Sequence, residues 1–292
     1  MKRLLSLLIA LLLLSAPALA ADKKAKLPTE LESHVGRSFE FVPAKRGSWS
    51  SSDPLVAQVN NRGIINFLSE GEATVTFTSS SNKVSTLKVT VGPAGQMPEI
   101  IQQGIDFALN EWQEAGNQPF PRSNKYTFWL RNAKSSFGWC GAFINYSLDM
   151  VGVPMNWRGE TTLQTDGRAH SVHEAAVPKL WEGFTKMDRI SYIPQPGYQV
   201  IYGRRGSTPY VHIGLVSHVE PLGEGKYLVE TVEGNMDSRI LRYSYIYDAL
   251  AEKADRNYYA LPAERQTQPE VFKYEPHNKG GWYITAFGAT WY

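Results

Sequence analysis

The sequence holds a single cysteine, Cys140, in 292 residues, so no disulfide can form within the chain. Charge of one sign is also lacking. With 30 Lys and Arg against 28 Asp and Glu, the formal net charge is only +2, and the basic surface that neutralises phosphates is missing; nucleic acid is not an expected partner. After residue 20 no apolar run approaches the roughly 20 residues that a membrane-spanning helix needs. Internal repeats and low-complexity tracts are absent too. What remains is a chain with 42% hydrophobic and 12% aromatic residues, a globular composition long enough for roughly two domains.

Met1-Lys2-Arg3, an apolar run from Leu4 to Leu14, and Ala18-Leu19-Ala20 form the three parts of a secretory signal peptide. Residues 1–20 are therefore expected to be a leader cleaved after Ala20, giving a secreted or periplasmic protein. Loss of Lys2 and Arg3 would bring the formal charge to zero. No cysteine follows the cleavage site, so no lipid anchor is expected. Export would place Cys140 where thiols are misoxidised, so its presence points to a chemical use; a small buried apolar residue is the alternative.

Residues 27–92 have the pattern of a small all-β domain. Thr74-Val75-Thr76-Phe77-Thr78 and Leu87-Lys88-Val89-Thr90-Val91 alternate apolar and polar residues, and Asn60-Asn61-Arg62-Gly63 and Ser69-Glu70-Gly71 supply turns. Trp49-Ser50-Ser51-Ser52-Asp53-Pro54, Val56-Ala57-Gln58-Val59 and Glu70-Gly71-Glu72-Ala73-Thr74-Val75-Thr76 resemble a bacterial Ig-like domain of group 2. The resemblance implies a β-sandwich of surface or secreted proteins, and no catalysis. Residues 93–98, Gly- and Pro-containing, read as a linker with few contacts crossing it. Ile100, Ile101, Ile105, Leu109 and Trp112 then recur at helical period, predicting an amphipathic helix over 99–115. Residues 263–292 form a polar and then aromatic tail with no functional reading.

Phe143, Ile144, Ser147, Leu148 and Val151 share one helical face, and Gly152 is a stop, which places Cys140 at a helix start. Unpaired N–H groups and the positive end of the helix dipole stabilise a thiolate there and can bind an oxyanion. In Val211-His212-Ile213-Gly214-Leu215-Val216 the alternation predicts a strand with His212 on one face, beside a small Gly214 that leaves room for a partner. A cysteine nucleophile needs such a base. His218 is the runner-up. In Tyr227-Leu228-Val229-Glu230-Thr231-Val232-Glu233-Gly234-Asn235, alternation puts Glu230 and Glu233 on opposite faces, so only one can meet His212. His170, His173 and Glu174 lack the further ligands a metal site requires. Neither a metal nor another cofactor is expected.

Asn124-Lys125-Tyr126-Thr127, Gly138-Trp139-Cys140-Gly141-Ala142-Phe143, Pro196-Gly197-Tyr198, His212-Ile213-Gly214-Leu215-Val216 and Val232-Glu233-Gly234-Asn235 together resemble the CHAP family of cysteine, histidine-dependent amidohydrolases and peptidases, over residues 99–262. The resemblance implies Cys140 as nucleophile, His212 as base, Glu233 as the group that orients and charges His212, and Asn235 sharing that task. Two positions depart from the family. Trp139 stands where many members have an oxyanion-binding Gln, and Tyr198 where many have Asp. The expected fold is thus α+β, a papain-like catalytic domain behind an N-terminal Ig-like sandwich. The expected activity is cleavage of amide bonds in peptidoglycan. A wall-binding protein with an inert hydrolase fold, and an exported toxin or deamidase acting on protein, are the alternatives.

Overall fold

The computed structural model describes residues 27–41, 46–156, 169–251, 256–274, 277 and 281–292; the expected leader lies outside them. The first region is all-β. Strands β1 (Glu30–His34), β2 (Ser38–Glu40), β3 (Gly47–Ser51), β4 (Ala57–Val59), β5 (Ile64–Phe67), β6 (Gly71–Ser79) and β7 (Val84–Gly92) form a four-stranded sheet ordered β1-β7-β6-β3 and a three-stranded sheet ordered β2-β5-β4. The alternation in β6 and β7 does what the sequence pattern predicts: Ala73, Val75, Phe77, Leu87, Val89 and Val91 point inward with Ala57, Ile65 and Phe67, the interleaving of two inner faces that defines a sandwich.

Residues 93–98 carry no regular structure. Helix α1 (Glu99–Ala115) follows at its predicted bounds and ends on Gly116 in the left-handed region, as glycine-terminated helices do. Then come α2 (Lys125–Arg131), α3 (Cys140–Met150), β8 (Met155–Asn156), β9 (Ser171–Val172), α4 (Val177–Lys186) and β10 (Ile190–Ser191). The chain finishes in β11 (Gln199–Arg204), β12 (His212–Gly223), β13 (Lys226–Met236), β14 (Arg239–Asp248), β15 (Tyr258–Ala260), β16 (Phe272–Lys273) and β17 (Trp282–Gly288). These build an eight-stranded sheet ordered β10-β17-β11-β12-β13-β14-β15, with β16 beside β14. Helices α1 and α3 pack on its face through Ile101, Ile105, Phe143, Ile144 and Leu148. Among the described residues no helix is long and apolar enough to cross a membrane.

Two expectations are corrected. The domain boundary at 262 is too early, because the tail supplies β17, which lies inside the sheet between β10 and β11. Its alternation (Ile284, Ala286 and Phe287 buried) is that of a strand with partners on both sides. The break at 93–98 is not a boundary with few crossing contacts either. Tyr192 receives a hydrogen bond at its carbonyl from Tyr247, donates through its hydroxyl to Glu40, and its N–H donates to Ser38 Oγ at 2.6 Å. Ile64, Tyr192 and Ala286 form one buried cluster, and the Arg37 guanidinium lies 3.7 Å above the Tyr292 ring. The sandwich is docked on the sheet edge that carries β10.

Ile64 has no exposed surface, so Ile64→Ala is expected to cost about 2–5 kcal/mol, the usual range for truncating a buried isoleucine. The unfolding of the second region, followed by its tryptophan fluorescence in a denaturant titration, should shift with it. A midpoint unchanged for that region would show that the two units are energetically independent.

Candidate active site

Cys140 is the first residue of α3, behind Trp139, whose side chain does not cap the helix. The first N–H groups of the helix thus have no partner inside it, and two backbone N–H groups, of Gly141 and Ile213, point at the Cys140 sulfur. Gly141 is required by its surroundings: a Cβ there would stand 2.5 Å from the Ala175 carbonyl oxygen. The residue is only 7% exposed and is a free thiol.

His212 opens β12 directly opposite Tyr202 of β11, with the two rings 5.7 Å apart. Its Nε2 donates to Glu233 Oε2 at 2.8 Å, which leaves Nδ1 as the nitrogen available to interact with Cys140. Gly214 makes this possible. A Cβ at that position would come within 2.8–2.9 Å of the Glu233 carboxylate arm, so the space left beside the imidazole is the space Glu233 fills. Gly234 serves the helix in the same way, since a Cβ there would meet Phe143 at 2.6 Å and Trp139 at 2.8 Å.

Glu233 is wholly buried and saturated with donors. Oε1 accepts the Tyr202 hydroxyl at 2.7 Å and Thr231 Oγ1 at 2.6 Å. Oε2 accepts His212, and His277 Nε2 lies 2.9 Å from the same oxygen, off the line of a well-formed hydrogen bond. The electrostatics follow. Burial alone would raise the Glu233 carboxyl, but the contacts with His277 and His212 hold it well below the usual carboxylate range. For His212 burial works against the charge, yet its bonds to Cys140 and Glu233 prevail and push its pKa up to about 10. Burial also opposes a Cys140 thiolate; the hydrogen bond and charge of His212 outweigh it, with help from the Gly141 and Ile213 N–H groups, and the thiol titrates below its ordinary range. The electrostatics favour a thiolate–imidazolium pair backed by a carboxylate, the form of such a pair that can attack an amide carbonyl and return a proton to the leaving amine.

The structure therefore brings together Cys140, His212 and Glu233. Asn235 does not join them. It follows Glu233 in a bulge with φ of 61°, its amide lies near Gly138, and among the described residues it makes no hydrogen bond to His212 or Glu233. Glu230 faces the other side of β13, 3.4 Å from Arg242, and His218 is exposed opposite it. The His173 ring lies 4.4 Å from that of Trp129, tilted by 47°. Trp139 is buried and stacked on Tyr126, so its side chain serves the core. Tyr198, where Asp is common, packs edge-on against Trp291. Tyr202, Thr231 and His277 were not foreseen as site residues. The convergent His212, Glu233 and His277 have ligand-type atoms within 4.8 Å of one another; Glu233 already accepts hydrogen bonds from Tyr202, Thr231 and His212. A surface hollow of about 540 Å³, lined by Lys125, Phe128, Trp129 and Tyr146 among others, shares no residue with the site.

The family model for the bacterial Ig-like domain (group 2) matches residues 31–91, which identifies the first region. No curated protein matches the chain. Among solved structures, the chain is similar to a bacterial Ig-like domain-containing GH10 xylanase from termite gut, at 24% identity and a TM-score of 0.23, over 28% of this chain and 23% of that one.

Hydrolysis rates should separate the carboxylates. Once each variant is confirmed folded by circular dichroism, Glu233→Gln is expected to lose about 10²–10⁴-fold, as when other triads lose their acid, and Asn235→Ala and Glu230→Gln far less. A larger loss in Glu230→Gln than in Glu233→Gln would refute the assignment.

Proposed function

We propose that the chain is an exported cysteine hydrolase that cleaves amide bonds of peptidoglycan, acting through a papain-like CHAP domain. The observation that carries the reading is the convergence of Cys140, His212 and Glu233 on a helix start and two neighbouring strands, with His212 bonded to Glu233 at 2.8 Å and coupled electrostatically to Cys140. A buried structural cysteine has no need of an imidazole whose second nitrogen is locked on a carboxylate. The attack and the acyl-enzyme step use Cys140; His212 gives its proton to the departing amine; water then releases the acyl group. Glu233 keeps the Nε2 proton in place, so Nδ1 faces the sulfur.

Peptidoglycan as the substrate is supported by the motif resemblance over residues 99–262. The location outside the membrane is supported by the sequence of residues 1–20 and by the Ig-like domain, a module common in extracellular proteins.

Purified sacculi incubated with the protein should release soluble muropeptides, and mass spectrometry of the products would identify the amide bond cut. Cys140→Ala should release none, and prior alkylation by iodoacetamide should abolish release by the wild type. Intact sacculi beside a deamidated or cleaved protein substrate would overturn the choice of peptidoglycan, and activity surviving complete alkylation would overturn the cysteine mechanism.

A further inference from the structure

His277 stands outside every motif and 44 positions beyond Glu233 in the sequence, yet its side chain is only 2% exposed and lies next to the Glu233 carboxylate. Its ring is stacked on Trp282 at 4.9 Å and 16°, lies 4.0 Å from the Tyr243 ring, and is 4.8 Å from Tyr202. The Tyr258 hydroxyl determines which nitrogen carries its proton. That oxygen accepts the backbone N–H of His277 at 3.2 Å and sits 2.7 Å from Nδ1; these are its hydrogen-bond contacts among the described residues, so the arrangement that uses its own proton donates it to Nδ1. In the neutral ring the remaining proton is then on Nε2, the atom 2.9 Å from Glu233 Oε2. Burial also keeps the ring neutral, the contact with Glu233 notwithstanding.

From this geometry we infer that His277 is a positioning residue, a neutral second imidazole that holds Glu233 as an anion and thereby keeps the shared proton on His212. The inference rests on the cysteine-hydrolase reading of the site. Its logic is proton placement. A buried carboxylate facing an imidazolium takes the proton back unless other donors favour its charged form. Tyr202 and Thr231 satisfy Oε1, so Oε2 depends on the two imidazoles. Without His277 the proton shifts from His212 toward Glu233, the imidazolium charge beside Cys140 is lost, and the thiol titrates at higher pH.

The thiolate reports this directly, without any assumption about substrate. Cys140 is the sole cysteine, so its rate of alkylation by iodoacetamide against pH gives its titration in the full-length chain. His277→Phe keeps the ring shape and removes the N–H; it should move the alkylation midpoint up by about one pH unit, a fall of about tenfold in rate at pH values below the midpoint. His277→Gln, whose amide can donate to the same oxygen, should restore most of the shift. Tyr258→Phe, which frees the tautomer while leaving the ring in place, should fall between and covers the case in which His277→Phe does not fold. A role in packing alone would leave the midpoint unchanged in every folded variant, and that result would overturn the inference. A wild-type thiol titrating at its ordinary pH would instead overturn the ion pair, and the cysteine-hydrolase reading with it.

Discussion

Glu233 is a carboxylate with no exposure to solvent, and the surrounding structure is arranged around the requirement that it stay charged. Leaving such an anion without donors costs several kcal/mol. Its partners come from four places in the sequence: Tyr202 on β11, His212 on β12, Thr231 on its own strand and His277 in the final segment. Only a sheet in which β11, β12 and β13 are consecutive neighbours assembles the first three on one face. A slip of one residue in any of these pairings would point one of them to the opposite side, so the register of the sheet and the charge state of the carboxylate are one constraint.

The Cys140 sulfur is supplied by a separate element, and its position depends on how closely that element approaches the sheet. Three glycines set the approach. Gly214 admits Glu233 beside His212, Gly234 admits Phe143 and Trp139 over the end of β13, and Gly141 admits the Ala175 backbone against the helix start. The helix is also tied laterally: Asn145 donates to the carbonyls of Gly141 and Glu174 and accepts from Ser171 and Gln199. Buried networks of this kind are costly unless complete, and this one joins α3 to β9 and β11. The sulfur is thus located by packing and hydrogen bonding on both sides of the helix.

Features encoded in local periodicity were legible in the sequence. The strands around Val75 and Val89, the helix over 99–115, Cys140 at a helix start and the opposite faces of Glu230 and Glu233 all follow from spacing of 2 or 3.6 residues. Features that depend on contacts far apart in sequence were not. His277 lies in a stretch without a strand or helix pattern, and only the return of β17 into the sheet carries that stretch to Glu233. The docking of the Ig-like domain uses Ser38, Glu40 and Ile64 against Tyr192, residues with nothing local to mark them as an interface. Asn235 shows a third kind of limit. Two residues from Glu233, it shares its face by simple alternation, but the bulge between Glu233 and Met236 breaks that alternation at the one step where it mattered.

A low-pKa thiolate is the form most readily oxidised as well as the form that attacks carbonyls, so the site has to reconcile reactivity with survival. Two properties of this chain bear on that conflict. No second cysteine exists to form an intramolecular disulfide, and Cys140 is 7% exposed, which limits access by oxidants and by thiols of other chains. Burial on its own would make the thiol unreactive by raising its pKa. The imidazolium is what reverses that effect, and an imidazolium in the same enclosed space requires a carboxylate that cannot reclaim its proton. Enclosure of the sulfur and the saturation of Glu233 with donors are therefore coupled: the more completely the thiol is sheltered, the more fully the carboxylate behind its base must be satisfied.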